Sequence, residues 1–284
     1  MVSPSRRRDA VTYLCRRHPV SERRACQVVG QHRSTQRYEH QPADFELRLV
    51  ARMNELAERH PRYGYRRVWA LLRSEGFEVN HKRVERLWRA EGHRVPARKA
   101  KNSGQKAIGG AGGSAWAIQA TAPNDVWSYD FVAARTEDGL PLRVLNVVDE
   151  FTRRCVGCRV DRHIGARDLI AELEGLFARH GRPVRLRSDN GREFIAETLA
   201  QWLHGQGVSQ LFIEKASPQQ NAYVERFNGT MRDEVLHGEL FRSVLEARVV
   251  LGQWVEQYNT VRPHRGLGYK TPAGFYAMVC EGSP

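Results

Sequence analysis

The sequence predicts an α/β domain built on a mixed five-stranded sheet, preceded by an all-helical, strongly basic region. Three observations predict it. Charge is segregated: residues 1–106 carry 25 Lys and Arg against 11 Asp and Glu, whereas residues 107–284 carry 20 against 21, so the whole +13 excess sits in the first third. A basic and then Gly-rich run, Arg98 to Ser114, holds too few apolar residues to pack and marks a linker over 96–120. After it, apolar segments follow the order strand, strand, strand, helix, strand, helix, strand, helix. A generally basic surface would spread its charge. Segregation on this scale is the footprint of a nucleic-acid-binding module joined to something else.

Several classes are set aside by the same reading. No apolar run approaches a membrane span, and Met1 to Arg8 lacks the apolar stretch of a signal peptide. A polybasic membrane patch is the rival explanation of the charge, but no amphipathic anchor accompanies it. Five cysteines form no evident disulfide framework, and Cys155-x-x-Cys158 lacks a second pair at zinc spacing, so reduced thiols are expected. These features fit a bacterial cytoplasmic, nucleoid-associated protein with no membrane partner.

Residues 1–40 read as three short helices. Arg6 to Arg17 presents Val11, Leu14 and Cys15 on one side. Ser21 caps a second helix that runs to Val29 and stops at Gly30, and Ser34 to Tyr38 forms a third. Residues 41–95 read as a helix-turn-helix DNA-binding domain. Its first helix, Phe45 to Glu58, has Leu47, Val50, Leu56 and Ala57 as apolar positions. Arg66 to Ser74 follows and ends at Gly76, and Asn80 caps a last helix, His81 to Glu91. The second helix of such a unit enters the major groove, which makes Lys82, Arg83 and Arg86 candidates for base or phosphate contact. A solvated basic face is the alternative for the arginines. Val84, Leu87 and Trp88 are expected in the core.

In residues 121–284, strands are expected at Asp125–Val132, Leu142–Val148, Arg154–Val160, Val184–Arg187 and Gln210–Ile213, with a hairpin turn at Glu137-Asp138-Gly139. Helices are expected at Ala166–Arg179, Phe194–Leu203, Gln219–Leu236 and Ser243–Tyr258, the last with Leu245, Val249, Trp254 and Val255 inward. This order is similar to that of an RNase-H-like mixed sheet. By that analogy strands one and four are adjacent and parallel, and Asp130 neighbours Asp189.

Asp130 interrupts an otherwise apolar strand, and a buried carboxylate needs a donor, a cation or a metal. Asp189 sits in Ser188-Asp189-Asn190-Gly191 at the C-terminal end of a strand, the usual place for a site in an α/β sheet. The same tetrapeptide is also an ordinary turn. A third carboxylate, Glu225, lies on a helix whose apolar stripe is Val224, Phe227, Met231 and Val235. Asn221, Glu225, Asn228 and Arg232 line the adjoining polar side, with Arg232 spaced to hold a phosphate. Three hard oxygen ligands suit Mg²⁺ or Mn²⁺, and a pair of such ions serves phosphodiester chemistry. Asp149 and Glu150 are expected to cap a turn. Glu193 and Glu214 are expected behind the site or on the surface. Tyr258, Asn259, Arg262 and His264 either touch DNA or dock the tail.

At these residues the chain resembles a known family. Asp130, Asp189 and Glu225, the last two with 35 residues between them, are similar to the DDE triad of retroviral integrases and transposases. Trp127–Phe131, Ser188–Phe194, Ser217–Asn228 and Tyr258-Asn259-x-x-Arg262-Pro263-His264 resemble the OrfB product of family-three insertion sequences. Arg62–Arg67 and Asn80–Leu87 resemble that family's helix-turn-helix, which adds Arg66 and Arg67 to the DNA-contact candidates. The resemblance spans roughly residues 6–276. It implies an integrase catalytic core at 121–284 with a helical tail. The implied activity is metal-dependent cleavage and strand transfer on double-stranded DNA, by a homo-oligomer that works with an OrfA partner through fusion or association. OrfA's leucine zipper is not found in this sequence. Arg192 departs from the Pro common in relatives, and the retroviral zinc module is replaced by helices. Two other readings are kept: a DNA-binding regulator with an inert core, and a nuclease for RNA–DNA hybrids.

Overall fold

The computed structural model describes residues 3–38, 44–95, 118–213 and 221–282. Most of the expected linker, Glu214 and Ser217–Gln220 lie outside the described residues. The chain divides into two compact units, residues 1–54 and 55–284.

In the first unit, α1 (Pro4–Arg17), α2 (Glu22–Val29) and α3 (Arg33–Gln36) are set by their caps. Ser21 accepts from the Arg24 N–H, and Gly30 ends α2 with φ +67°, a left-handed turn that glycine adopts without strain. Val11, Ala25 and Cys26 are its buried centre. The helix α4 (Asp44–Arg59) buries Leu49, Met53 and Leu56. Leu47, expected to pack, is 55% exposed, because the buried stripe runs through Leu49, Met53 and Leu56, on the opposite side of the helix.

The second unit begins with the last residues of α4, from Glu55, and continues with α5 (Tyr65–Ser74) and α6 (His81–Ala90). Asn80 caps α6 by accepting from the Lys82 N–H at 3.0 Å. Val68, Leu72, Val84, Leu87 and Trp88 are buried, and Trp69 Nε1 donates to the Val79 carbonyl at 2.8 Å, tying the turn to α5.

Five strands follow: β1 (Val126–Arg135), β2 (Pro141–Asp149), β3 (Cys155–Asp161), β4 (Arg185–Ser188) and β5 (Ser209–Phe212). Their spatial order is β3-β2-β1-β4-β5. The first three pair antiparallel; β4 pairs parallel with β1, and β5 with β4. This is the mixed sheet expected from the sequence. Side chains alternate across it. Trp127, Tyr129, Leu145 and Val147 pack on one face against α7 (Ala166–His180) and α8 (Glu197–Gly205). Val132, Leu142, Val144 and Val148 pack on the other against α9 (Ala222–Met231) and α10 (Val244–Thr260). A last helix, α11 (Pro272–Glu281), closes the chain.

Three helical expectations are corrected. The helix expected from Phe194 starts at Glu197, because the Phe194 ring turns into the core against Tyr129 and Phe131. The helix expected to run on to Leu236 changes at Arg232 into a π-helical turn, Arg232–Leu236. Along α10, Leu245 and Val249 are 69% and 51% exposed. The buried stripe is Ala247, Leu251 and Tyr258, whose small first member hid the register.

Gly157 on β3 lets α7 approach closely: a Cβ there would lie 2.6 Å from Leu176 Cδ1 and 3.0 Å from Cδ2. With Leu176 locked in the core, Gly157→Ala is expected to cost about 1–3 kcal/mol. Chemical denaturation of the two proteins measures it.

Candidate active site

The parallel pairing of β1 and β4 builds the site. Val126, Trp127 and Ser128 stand opposite Arg185, Leu186 and Arg187, a constant offset of 59 residues. Carried two residues further, that offset sets Asp130 beside Asp189, just past the end of β4. Alternation turns Asp130 away from Tyr129 and toward the face covered by α9. The two carboxylates are electrostatically coupled.

Asp130 is half-buried and its carboxyl is raised above the usual range. Burial is the largest cause. The Asp189 charge adds to it, while hydrogen bonds and the Arg232 cation oppose it. Its Oδ1 accepts from the Phe131 N–H at 2.7 Å and its Oδ2 from Asn228 Nδ2 at 2.9 Å. Asp189 Oδ1 accepts from the Gly191 N–H at 3.0 Å, and a Cβ on Gly191 would crowd that oxygen at 3.1 Å. Asn190 Nδ2 donates to the Ile213 carbonyl at 2.9 Å, holding the turn against the end of β5. The turn that the sequence suggests is therefore how the carboxylate is presented.

Glu225 is exposed on the first turn of α9. It lies three residues before Asn228, which touches Asp130, so it shares that helical face one turn away. Among the described residues no three His, Cys, Asp or Glu side chains converge to hold a metal. Two carboxylates are thus brought together, and the third is carried on the helix that docks onto them. Arg232 is exposed at the start of the π-helical turn.

Other expectations for the polar face are corrected. Asn228 is 1% exposed and engaged with Asp130, and Asn221 is 2% exposed at the N-terminus of α9, so neither offers a surface to DNA. Arg262, 3% exposed, pairs with Glu234 and lies over the rings of Tyr63 and Tyr258 at 5.2 and 5.7 Å. The His264 ring meets Tyr258 edge-on, and burial, with the neighbouring Arg262, Arg67 and Arg153 cations, pushes its pKa down to about 3. Asn259 exchanges hydrogen bonds with the Cys155 backbone at 3.0 and 2.9 Å. The tail cluster docks the chain on itself.

Asp149 caps its turn as expected, accepting from the Thr152 N–H and hydroxyl, both at 2.7 Å. Glu150 does not. It is buried against Arg187, whose Nη1 reaches both carboxylate oxygens at 2.9 and 2.8 Å, and it also accepts from the Ser128 hydroxyl. Burial raises its carboxyl, with Arg187 opposing. Arg187 and its register partner Ser128 lie two residues before Asp189 and Asp130 on their own strands, and Glu150, just past the end of β2, joins them. Glu193 accepts from Arg143 at 2.6 Å, and that guanidinium covers the Phe131 ring at 4.0 Å. Asn146, which the sequence reading passed over, is fully buried and donates to Asn228 Oδ1 at 2.8 Å. It interrupts an apolar strand as Asp130 does, and that signal was available. Cys155 and Cys158 are free thiols.

On α6, Lys82 and Arg86 are exposed and Arg83 is half-buried, opposite the buried Val84, Leu87 and Trp88. Arg66 is exposed and donates to the Tyr65 hydroxyl at 3.1 Å, and Arg67 lies over the Tyr63 ring at 5.4 Å.

A sheet of this order, with paired aspartates at β1 and β4 and a helix-turn-helix before it, defines a DNA-acting integrase-type enzyme. Family models agree: integrase core domain over residues 120–218 and 206–272, and HTH-like domain over 44–101. A protein of insertion element IS407 from Burkholderia multivorans is 39% identical, covering 91% of each chain. One of insertion element IS476 from Xanthomonas euvesicatoria is 37% identical over 97% of this chain and 78% of its own. The transposase of insertion sequence IS904 from Lactococcus lactis is 28% identical over 77% of this chain and 88% of its own. The chain belongs to the insertion-sequence transposases with an integrase core, which are polynucleotidyl transferases. Among the described residues no helix is long and apolar enough to cross a membrane.

Because the folded Asp130 carboxyl is raised above its unfolded value, the stability it contributes at low pH is lost as pH rises through that folded value. In metal-free buffer, the melting temperature of Asp130→Asn relative to the native chain is expected to climb as pH goes from about 4 to about 8. A difference that stays flat over that range would contradict this assignment.

Proposed function

We propose that the chain cuts one strand at each end of its element and joins the freed 3′-OH to a target phosphodiester, with Asp130, Asp189 and Glu225 as ligands of Mg²⁺ or Mn²⁺, two ions in all. The observation that carries it is the in-register pair Asp130 and Asp189, half-buried and held by directed N–H donors. The donor set fits such an ion: hard carboxylate oxygens, two side by side, with the Asp130 charge resisted by burial and by Asp189. When bound, the metal lowers the pKa of an attacking hydroxyl and stabilises the departing oxygen.

The chain's own groups do the rest. In cleavage, water adds to phosphorus as the P–O3′ bond breaks, leaving a 3′-OH and a 5′-phosphate. In transfer, that 3′-OH adds to a target phosphorus and displaces another 3′-OH, so one ester replaces another and no external energy source is needed. The Phe131 and Gly191 N–H groups and the Asn228 amide aim the carboxylates. Arg232, exposed beside Asp130, is available to neutralise a phosphate. Lys82, Arg83 and Arg86, with Arg66 and Arg67, grip the element's ends, while Val84, Leu87 and Trp88 hold the helix in place. The organisation proposed is helical arms over 1–40 and 41–95, a 96–120 linker and a 121–284 catalytic core. An OrfA partner and self-association on DNA complete the working assembly, in the bacterial cytoplasm.

Asp130→Asn, Asp189→Asn and Glu225→Gln are each expected to lower strand transfer on element-end DNA by at least about 10²–10³-fold. Chelation should abolish the reaction and Mg²⁺ restore it. Undiminished transfer by any one variant removes that residue from the site. Lys82→Ala and Arg86→Ala should leave the chemistry on saturating DNA intact while weakening binding. Each lost phosphate contact is expected to reduce the salt slope of binding by about 1, measured by titration at several salt concentrations.

A further inference from the structure

The hydrogen bond that Asp130 receives depends on which way the Asn228 amide is turned. Asn146 on β2 stands directly opposite Asp130 in the antiparallel register. Its Nδ2 donates to Asn228 Oδ1 at 2.8 Å and lies 3.6 Å from Met231 Sδ, while Asn228 Nδ2 donates to Asp130 Oδ2 at 2.9 Å. Both amides are shut away from water. We propose that Asn146 is a positioning residue for the metal-binding carboxylates. It holds Asn228 with its NH₂ toward Asp130 and thereby sets the seat of α9, with Glu225 on it, over the sheet. This rests on the reading of Asp130, Asp189 and Glu225 as metal ligands.

The surroundings argue for it. Apart from Asp130, the two amides are packed among apolar side chains: Leu142, Val144 and Val148 from β2, and Val224, Phe227, Met231 and Val235 from the helix and the turn after it. An apolar pair of similar size would fill the space without desolvating two amides, so the amides contribute direction rather than stability. Asn146 Oδ1 meets no donor among the described residues, which leaves donation through Nδ2 as the group's observed use. A carboxylate at 146 would accept from the Asn228 NH₂ and turn its carbonyl oxygen onto Asp130, lone pair against lone pair. A leucine would leave Asn228 Oδ1 unpartnered and its orientation unset. Glu225 and Asn228 are one helical turn apart on one face, so a shift in the seat of one is felt by the other.

The test uses the full chain and compares the native protein with Asn146→Leu, Asn146→Asp, Val144→Ala and Asp130→Asn. Three quantities are measured: Mn²⁺ binding by calorimetry, strand transfer as a function of Mg²⁺, and thermal melting. Both Asn146 variants are expected to raise the half-saturating metal concentration by about 10–100-fold, with strand transfer recovering to within a few-fold at saturating metal. Val144→Ala, which removes packing from the same face, should lower the melting temperature and leave the half-saturating concentration within about twofold. Metal binding by Asn146→Leu equal to that of the native chain overturns the proposal, whatever its melting temperature. Should Asn146→Asp not fold, Asn146→Leu, which buries no charge, decides. If Asp130→Asn binds Mn²⁺ as tightly as the native chain, or the native chain binds none, the site assignment itself falls and this proposal with it.

Discussion

The parallel pairing of β1 with β4 is the contact on which the rest depends. Four residues of β4 suffice to align it, because the backbone ladder joins the strands and side chains on both faces fix the offset. A slip of one residue would carry Asp189 away from Asp130 and turn every β4 side chain to the opposite face. The register is held from both sides. Leu186 enters the core with Trp127 and Tyr129, while on the other face Arg187 is buried against Glu150, which also accepts from the Ser128 hydroxyl. A buried ion pair contributes little net stability, but it penalises any arrangement that leaves one partner alone. That penalty is spent here on alignment.

Around this pairing the sheet is sealed unequally. The face of α7 and α8 has a hydrophobic centre, with the Arg143–Glu193 pair over Phe131 at its edge. The face of α9 and α10 is hydrophobic at its far end and polar near the carboxylates, where Asp130, Asn146 and Asn228 meet. The helix that brings Glu225 is therefore seated by both kinds of contact: an apolar stripe that supplies adhesion and an amide that supplies register. Beyond it the π-helical turn redirects the chain, and Glu234 within that turn is captured by Arg262. Tyr63, from the segment before α5, lies against the same guanidinium. The segment leading into α5 and the turn that follows α9 thus share an anchor within the second unit.

Much of this was legible in the sequence, and the reasons can be stated for particular residues. Ser21, Gly30 and Asn80 act locally, through hydrogen bonds to neighbours or through one permissive dihedral, so their effects were visible without the fold. The strands were visible because β-branched and aromatic residues recur in short runs between turn signals. The apolar face of α10 was misread because Leu245 and Val249 are more hydrophobic than Ala247, although Ala247 is the one that fits beneath the helix. Burial there depends on the distance to the sheet, which side-chain hydrophobicity does not encode. Asn228 was misread, and Arg262 left open between DNA contact and docking, for a related reason. A polar residue in a polar motif looks exposed until its partner, distant in the chain, is known.

The amino-acid sequence alone determined the residue types: three carboxylates at their spacings, a basic helical region, and the order of strands and helices. Those follow from local propensity and composition, which act over a few residues. Only the tertiary structure decided which groups meet. The coupling of Asp130 to Asp189, the amide relay through Asn146, the Arg187–Glu150 pair and the anchoring of Glu234 by Arg262 all join residues from 28 to 98 positions apart. Contacts at such separations form when chain segments pack on one another and exclude water, and no local rule specifies them.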